Sequence, residues 1–91
     1  MPYISQEKRR ILEPTVQELV DGIVCCAEDG HKDGLVNFAI SSLVFSLYGR
    51  TYSELNAAIG VLECVKQELY RRVVAPYEDE KRNENGEVFH G

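Results

Sequence analysis

Cysteine is scarce in this chain and poorly spaced for any scaffold: Cys25 and Cys26 are adjacent, and Cys64 stands apart. Neighbouring cysteines rarely bridge each other, and no CxxC pair or suitably spaced histidine offers a structural zinc site. A reducing compartment fits that usage. On a helix Cys25 and Cys26 project about 100° apart, so one of them is expected to pack as a small apolar residue. No apolar run approaches the roughly 20 residues of a membrane-spanning helix. After Met1-Pro2-Tyr3 the chain turns charged at once, without the apolar stretch of a secretory signal. A cytoplasmic protein with no membrane association is the expectation. Also missing are a glycine-rich phosphate loop, HExxH and GxSxG, each of which lowers the case for an enzyme. The period-two alternation of strands, internal repeats and low-complexity tracts are absent as well.

What is present is a balanced short chain. With 91 residues, 44% apolar and 27% charged, it suits one globular domain and argues against general disorder. A domain so short sits near the lower limit of independent stability, and association between copies is a common remedy. The net charge of -5 repels a phosphate backbone, so nucleic acid is not an expected partner. The basic runs Lys8-Arg9-Arg10, Arg71-Arg72 and Lys81-Arg82 read as solvated helix faces.

Helical periodicity dominates. Ser5 can cap a short helix over residues 6–12, which Glu13-Pro14 resets, since proline is tolerated at a first helical position. A second helix follows over 14–28, with Val16, Leu19, Val20, Ile23 and Val24 as a buried stripe. Gly30 stops it. Asp33 can cap a helix over 34–48 whose stripe of Leu35, Phe38, Ala39, Leu43 and Leu47 is widened by Val36, Ile40, Val44 and Phe45. A helix apolar most of the way round is either central to a core or covered by a partner subunit. Gly49 ends it.

Thr51 or Ser53 can cap the longest helix, although a Ser53 cap places Asn56 where a capping box needs glutamate. Leu55, Ala58, Ile59, Leu62, Val65, Leu69 and Val73 form its core stripe, and Pro76 ends or kinks it near Val74. A short helix over 77–84 stops at Asn85-Gly86, after which Val88 and Phe89 can fold back. The fold class is therefore all-α: a small helical bundle of three main helices with short N- and C-terminal helical segments. Residues 1–85 make one helical domain and 86–91 a polar tail.

Chemistry-bearing residues gather on one sector of the long helix. Asn56, Glu63, Lys66, Gln67 and Tyr70 return to the same side at spacings of three, four and seven. Gly60 shares that sector and lets a neighbour approach the backbone, through close helix packing or a ligand. Asn37 interrupts the apolar run Leu35-Val36-Asn37-Phe38-Ala39, and a buried amide there needs partners. Glu63 and Lys66 can be a plain surface pair, or Glu63 can be a buried anchor accepting from Asn37 or Tyr70. Asn37, Asn56, Glu63, Lys66 and Tyr70 thus form a candidate polar cluster, either a ligand site or an interface. The run Glu78-Asp79-Glu80 points in different directions and reads as helix-start charge rather than a cation site. His31 and His90 read as surface residues. No catalytic residue, metal ligand or cofactor is expected.

Met1-Pro2-Tyr3-Ile4, the segment Ile59-Gly60-Val61-Leu62-Glu63-Cys64-Val65-Lys66-Gln67-Glu68-Leu69-Tyr70-Arg71-Arg72, and Ala75-Pro76-Tyr77-Glu78-Asp79-Glu80-Lys81 with Asn85-Gly86-Glu87-Val88 together resemble a family of short uncharacterised proteins of tailed phages, prophages and environmental sequences. The resemblance implies a phage or bacterial cytoplasmic setting and carries over no catalytic residue. Glu18-x-x-Asp21 also resembles one acidic pair of the all-α MazG-type nucleoside triphosphate pyrophosphohydrolases, but the second pair has no counterpart and Glu63 stands alone. The function expected is a self-associating helical interaction module with a protein partner, a phage accessory factor. The alternative is a nucleotide binder or hydrolase using Asn37, Glu63, Lys66 and Tyr70.

Overall fold

Helix formers fill the first segment, and Ser5 accepts from the Lys8 backbone N–H at 3.3 Å, so the first helix starts where its cap dictates. In the computed structural model, which describes residues 2–89, this helix α1 runs unbroken over Gln6–Cys26. The expected break at Pro14 does not occur. Proline removes one bond from the ladder, but the turn before it is spanned by an Arg9–Glu13 ion pair at 2.7 Å and built from residues of high helix propensity. The short N-terminal helix and the one expected over 14–28 are thus a single element. A 3₁₀ turn over Ala27–Asp29 follows, and Gly30 ends it at φ 93°, a backbone that glycine adopts without a Cβ clash.

Helix α2 spans Lys32–Leu47. Its cap position is His31, which makes no side-chain cap bond, and Asp33 lies inside the first turn rather than capping it. There its charge still favours the helix end. The other end stops at Tyr48, whose extended backbone takes the role expected of Gly49. Arg50 secures this end: its guanidinium donates to the carbonyls of Tyr48 at 2.7 Å and Phe45 at 3.2 Å and sits 3.6 Å over the Phe45 ring centroid. These donors satisfy carbonyls that a helix end leaves unpaired.

Helix α3 spans Tyr52–Leu69. Thr51, not Ser53, caps it, accepting from the Glu54 backbone N–H at 3.2 Å. Glu54 then stands where a capping box puts glutamate, but its carboxylate reaches the Gly49 N–H at 3.4 Å. A π-helical turn over Tyr70–Val74 leads directly into α4, Ala75–Asn85. Pro76 therefore does not end the helical path: it sits in the first turn of α4, where proline is tolerated, directly after the wide turn. Gly86, at φ 99°, closes α4 as expected. Val88 and Phe89 do not fold into a contact that covers them. Both are exposed, with their N–H groups donating to the Glu87 carboxylate.

The chain divides into two units, residues 1–55 and 56–91. In the first, α1 packs against α2 across the Gly30 turn, and Ile23, Ala27, Leu35 and Ala39 are partly covered. In the second, α4 packs against the π-turn. The helical class is as expected, with no strand among the described residues. The buried stripes are not. Ala58, 4% exposed, is the only buried residue described. Val16, Leu19, Val20 and Val24 of α1 are exposed, as are Leu55, Ile59, Val65, Leu69 and Val73. On α2, Phe38 and Phe45 are 71% and 69% exposed. A helix stripe is buried only by a second apolar surface, and a single copy of this chain supplies too few.

Candidate functional site

Spacings of three and four residues bring α3 side chains within reach of each other, and the long helix uses them locally. Glu63 Oε1 accepts from Gln67 Nε2 at 3.2 Å and pairs with Lys66 Nζ at 3.4 Å. The Gln67 hydrogen bond, and then the Lys66 charge, hold the Glu63 carboxyl below its usual range. Any stability this lends is present above the ordinary glutamate range and lost as pH falls through the lowered value. Glu63 is half exposed, so of the two arrangements open to it the structure shows the surface pair with Lys66 and not the buried anchor. Its nearest partners lie on its own helix, one turn away.

Asn37 likewise bonds within its own helix: Ser41 Oγ donates to its Oδ1 at 3.3 Å. This places Asn37 in the first unit, while Asn56, Glu63, Lys66 and Tyr70 lie in the second. Asn56 is exposed near the start of α3. Gly60 faces open space, since an added Cβ would meet nothing within 4 Å. Its role in close packing within the chain is thereby removed.

Tyr70 opens the π-turn and bonds Glu78 on α4, a partner the sequence reading did not anticipate because the π-turn changes the helical phase. The hydrogen bond to Glu78, then its negative charge, raise the Tyr70 hydroxyl above the usual value of 10. The neutral hydroxyl donates, whereas phenolate would face carboxylate. A raised folded-state value means that this contribution is full below pH 10 and fades as pH rises through it. Tyr70 in Glu78→Gln is expected to ionise at lower pH than in the wild type, followed through its ring resonances by NMR. Identical titrations would sink the assignment.

The same unit forms an open cleft of about 500 Å³ between Tyr70, Tyr77, Arg82 and Phe89. Its cations are already engaged, Arg82 with Asp79 and Glu87, and Lys81 with Glu84. Among the described residues no group of three or more His, Cys, Asp or Glu side chains could hold a metal ion. Asp21 accepts from Gln17 at 2.9 Å on α1. His90 lies outside the described residues. All three cysteines are free and exposed, so neither Cys25 nor Cys26 packs as a core residue. Sequence reasoning also missed Arg50, which closes the end of α2 outside the candidate cluster and whose signal was a cation just past a helix end.

The chain belongs to the family described as Domain of unknown function (DUF6899), whose profile matches residues 1–88. No curated protein and no solved structure matches it. Among the described residues no helix is long and apolar enough to cross a membrane.

Proposed function

We propose that this protein is a self-associating helical interaction module whose apolar helix faces are covered by further copies of the chain. The supporting observation is the apolar face of α2. The helix carries no charged side chain after Asp33, and Val36, Ile40, Leu43 and Leu47 are all exposed along it at spacings of four, three and four. That is the spacing of a coiled-coil seam. A helical bundle then forms between chains, with α2 at its centre and part of α3 covered.

The assembled surface is acidic and binds a protein partner, in the bacterial cytoplasm, as a phage accessory factor. That setting is what the resemblance of its amino-terminal, α3 and carboxy-terminal segments to short phage proteins implies. Light scattering at tens of micromolar protein is expected to give a dimer mass or greater. A monomer mass would overturn the reading. A thermal-shift screen with nucleotides serves as the control, since a shift lost in Lys66→Ala would favour a nucleotide site on α3.

A further inference from the structure

Gly86, at φ 99°, turns the chain out of α4, and Glu87 then holds the tail beside the helix. Its carboxylate accepts from the Val88 and Phe89 backbone N–H groups at 3.1 and 3.3 Å and pairs with Arg82 at 3.5 Å. The π-turn brings Tyr70 to the same place, where its hydroxyl donates to Glu78. Three aromatic rings, Tyr70, Tyr77 and Phe89, therefore line one open cleft of about 500 Å³, and each is more than half exposed. That volume suits a small ligand or one long side chain.

The charges around the rings are unequal. Glu78, Asp79 and Glu87 line the cleft, with Lys81 and Arg82 as its cations. Arg82 is held by two carboxylates, Asp79 at 3.6 Å and Glu87 at 3.5 Å, and Lys81 pairs with Glu84 at 3.2 Å. Glu78 makes no ion pair among the described residues: its bond is to the neutral Tyr70 hydroxyl, so its charge stays uncompensated. An anion entering the cleft would find both cations engaged and a spare carboxylate beside it. A cation meets that spare charge together with the electron-rich faces of the rings. The chain shows this chemistry on a small scale, since Lys81 Nζ stands over the Tyr77 ring, 5.6 Å from its centroid.

We infer that the cleft takes an arginine side chain of a partner protein, with the guanidinium against the Tyr77 ring and its charge answered by Glu78. Arginine fits better than lysine because its planar, weakly hydrated group stacks on a ring while its edge donates, whereas an ammonium is a strongly hydrated point charge. Lys81, on the same ring face, is then a built-in competitor that the incoming guanidinium displaces. This inference rests on the protein-partner reading above and names the chemistry the partner presents.

Tyrosine ring resonances of the full chain, followed by NMR, test it with a capped Gly-Gly-Arg-Gly-Gly peptide. Saturating shifts of Tyr70 and Tyr77 are expected. The same peptide with citrulline in place of arginine, similar in shape but neutral, should produce none. Tyr77→Leu should weaken binding about fivefold, the loss of one exposed cation–π contact, and Glu78→Gln should weaken it too. Lys81→Met should tighten it about threefold, because the Tyr77 face loses its resident cation. All three positions are exposed on α4, so the variants keep the fold, as circular dichroism should verify. Equal shifts from the arginine and citrulline peptides, or a Lys81→Met protein that binds no more tightly than the wild type, would overturn the inference. Free arginine bound more tightly than the peptide would overturn the protein-borne source. Self-association is read separately by light scattering. A monomer that still binds the peptide sinks that reading and leaves this one standing, and an oligomer indifferent to the peptide does the reverse.

Discussion

Tenfold dilution will lower the melting midpoint by about 3–5 °C. The argument begins with burial. Ala58 is the only described residue below a tenth of its possible exposure, while Phe38, Phe45, Val24 and Ile59 are each about two-thirds exposed or more. Apolar burial is the main favourable contribution to folding, and each ordered residue costs about 1–2 kcal/mol of backbone entropy. On the self-association proposed above, a chain that covers so little of its own apolar surface obtains the balance from other copies. Folding and assembly then form one equilibrium, and its midpoint depends on protein concentration. The midpoint should be followed by circular dichroism at 222 nm across about two decades of concentration. A midpoint that does not move would separate folding from association and defeat this account.

Pro14→Ala should stabilise the protein by about 3 kcal/mol. Pro14 lies inside α1, well past the first turn where proline is harmless. It cannot donate to the Arg10 carbonyl, and its ring crowds the preceding turn. Alanine restores the bond and has the highest helix propensity. Urea unfolding of both proteins at one concentration measures the difference. An unchanged or lower midpoint would mean that the ring packs against a neighbouring chain strongly enough to offset its backbone cost.

Local signals were legible wherever their energetics are local. Ser5 caps α1 because a hydroxyl beside the first N–H groups needs no help from the rest of the chain. Gly30 and Gly86 end helical segments because only glycine reaches their backbone angles without a penalty. Pro76 was recognisable as a disruption, but the wide turn before it was not. The π-turn over Tyr70–Val74 changes which side chains share a face, and it thereby gives Tyr70 to Glu78 rather than to Glu63. The candidate polar cluster was legible as a helix sector, yet its partners depended on rotamers one turn away. Glu63 turns to Gln67 and Lys66, and Asn37 to Ser41.

The amino-acid sequence by itself determined the helical class, the Ser5 cap, the Gly30 and Gly86 stops and the apolar stripes, because backbone propensity and side-chain periodicity act over one or two turns. Only the tertiary structure decided that Pro14 is carried within α1, that Arg50 closes α2, and that the stripes on α1, α2 and α3 face outward. The reason is that periodicity specifies which residues share a face, whereas burial requires a second surface to meet it, and one copy of this chain covers almost none of its own.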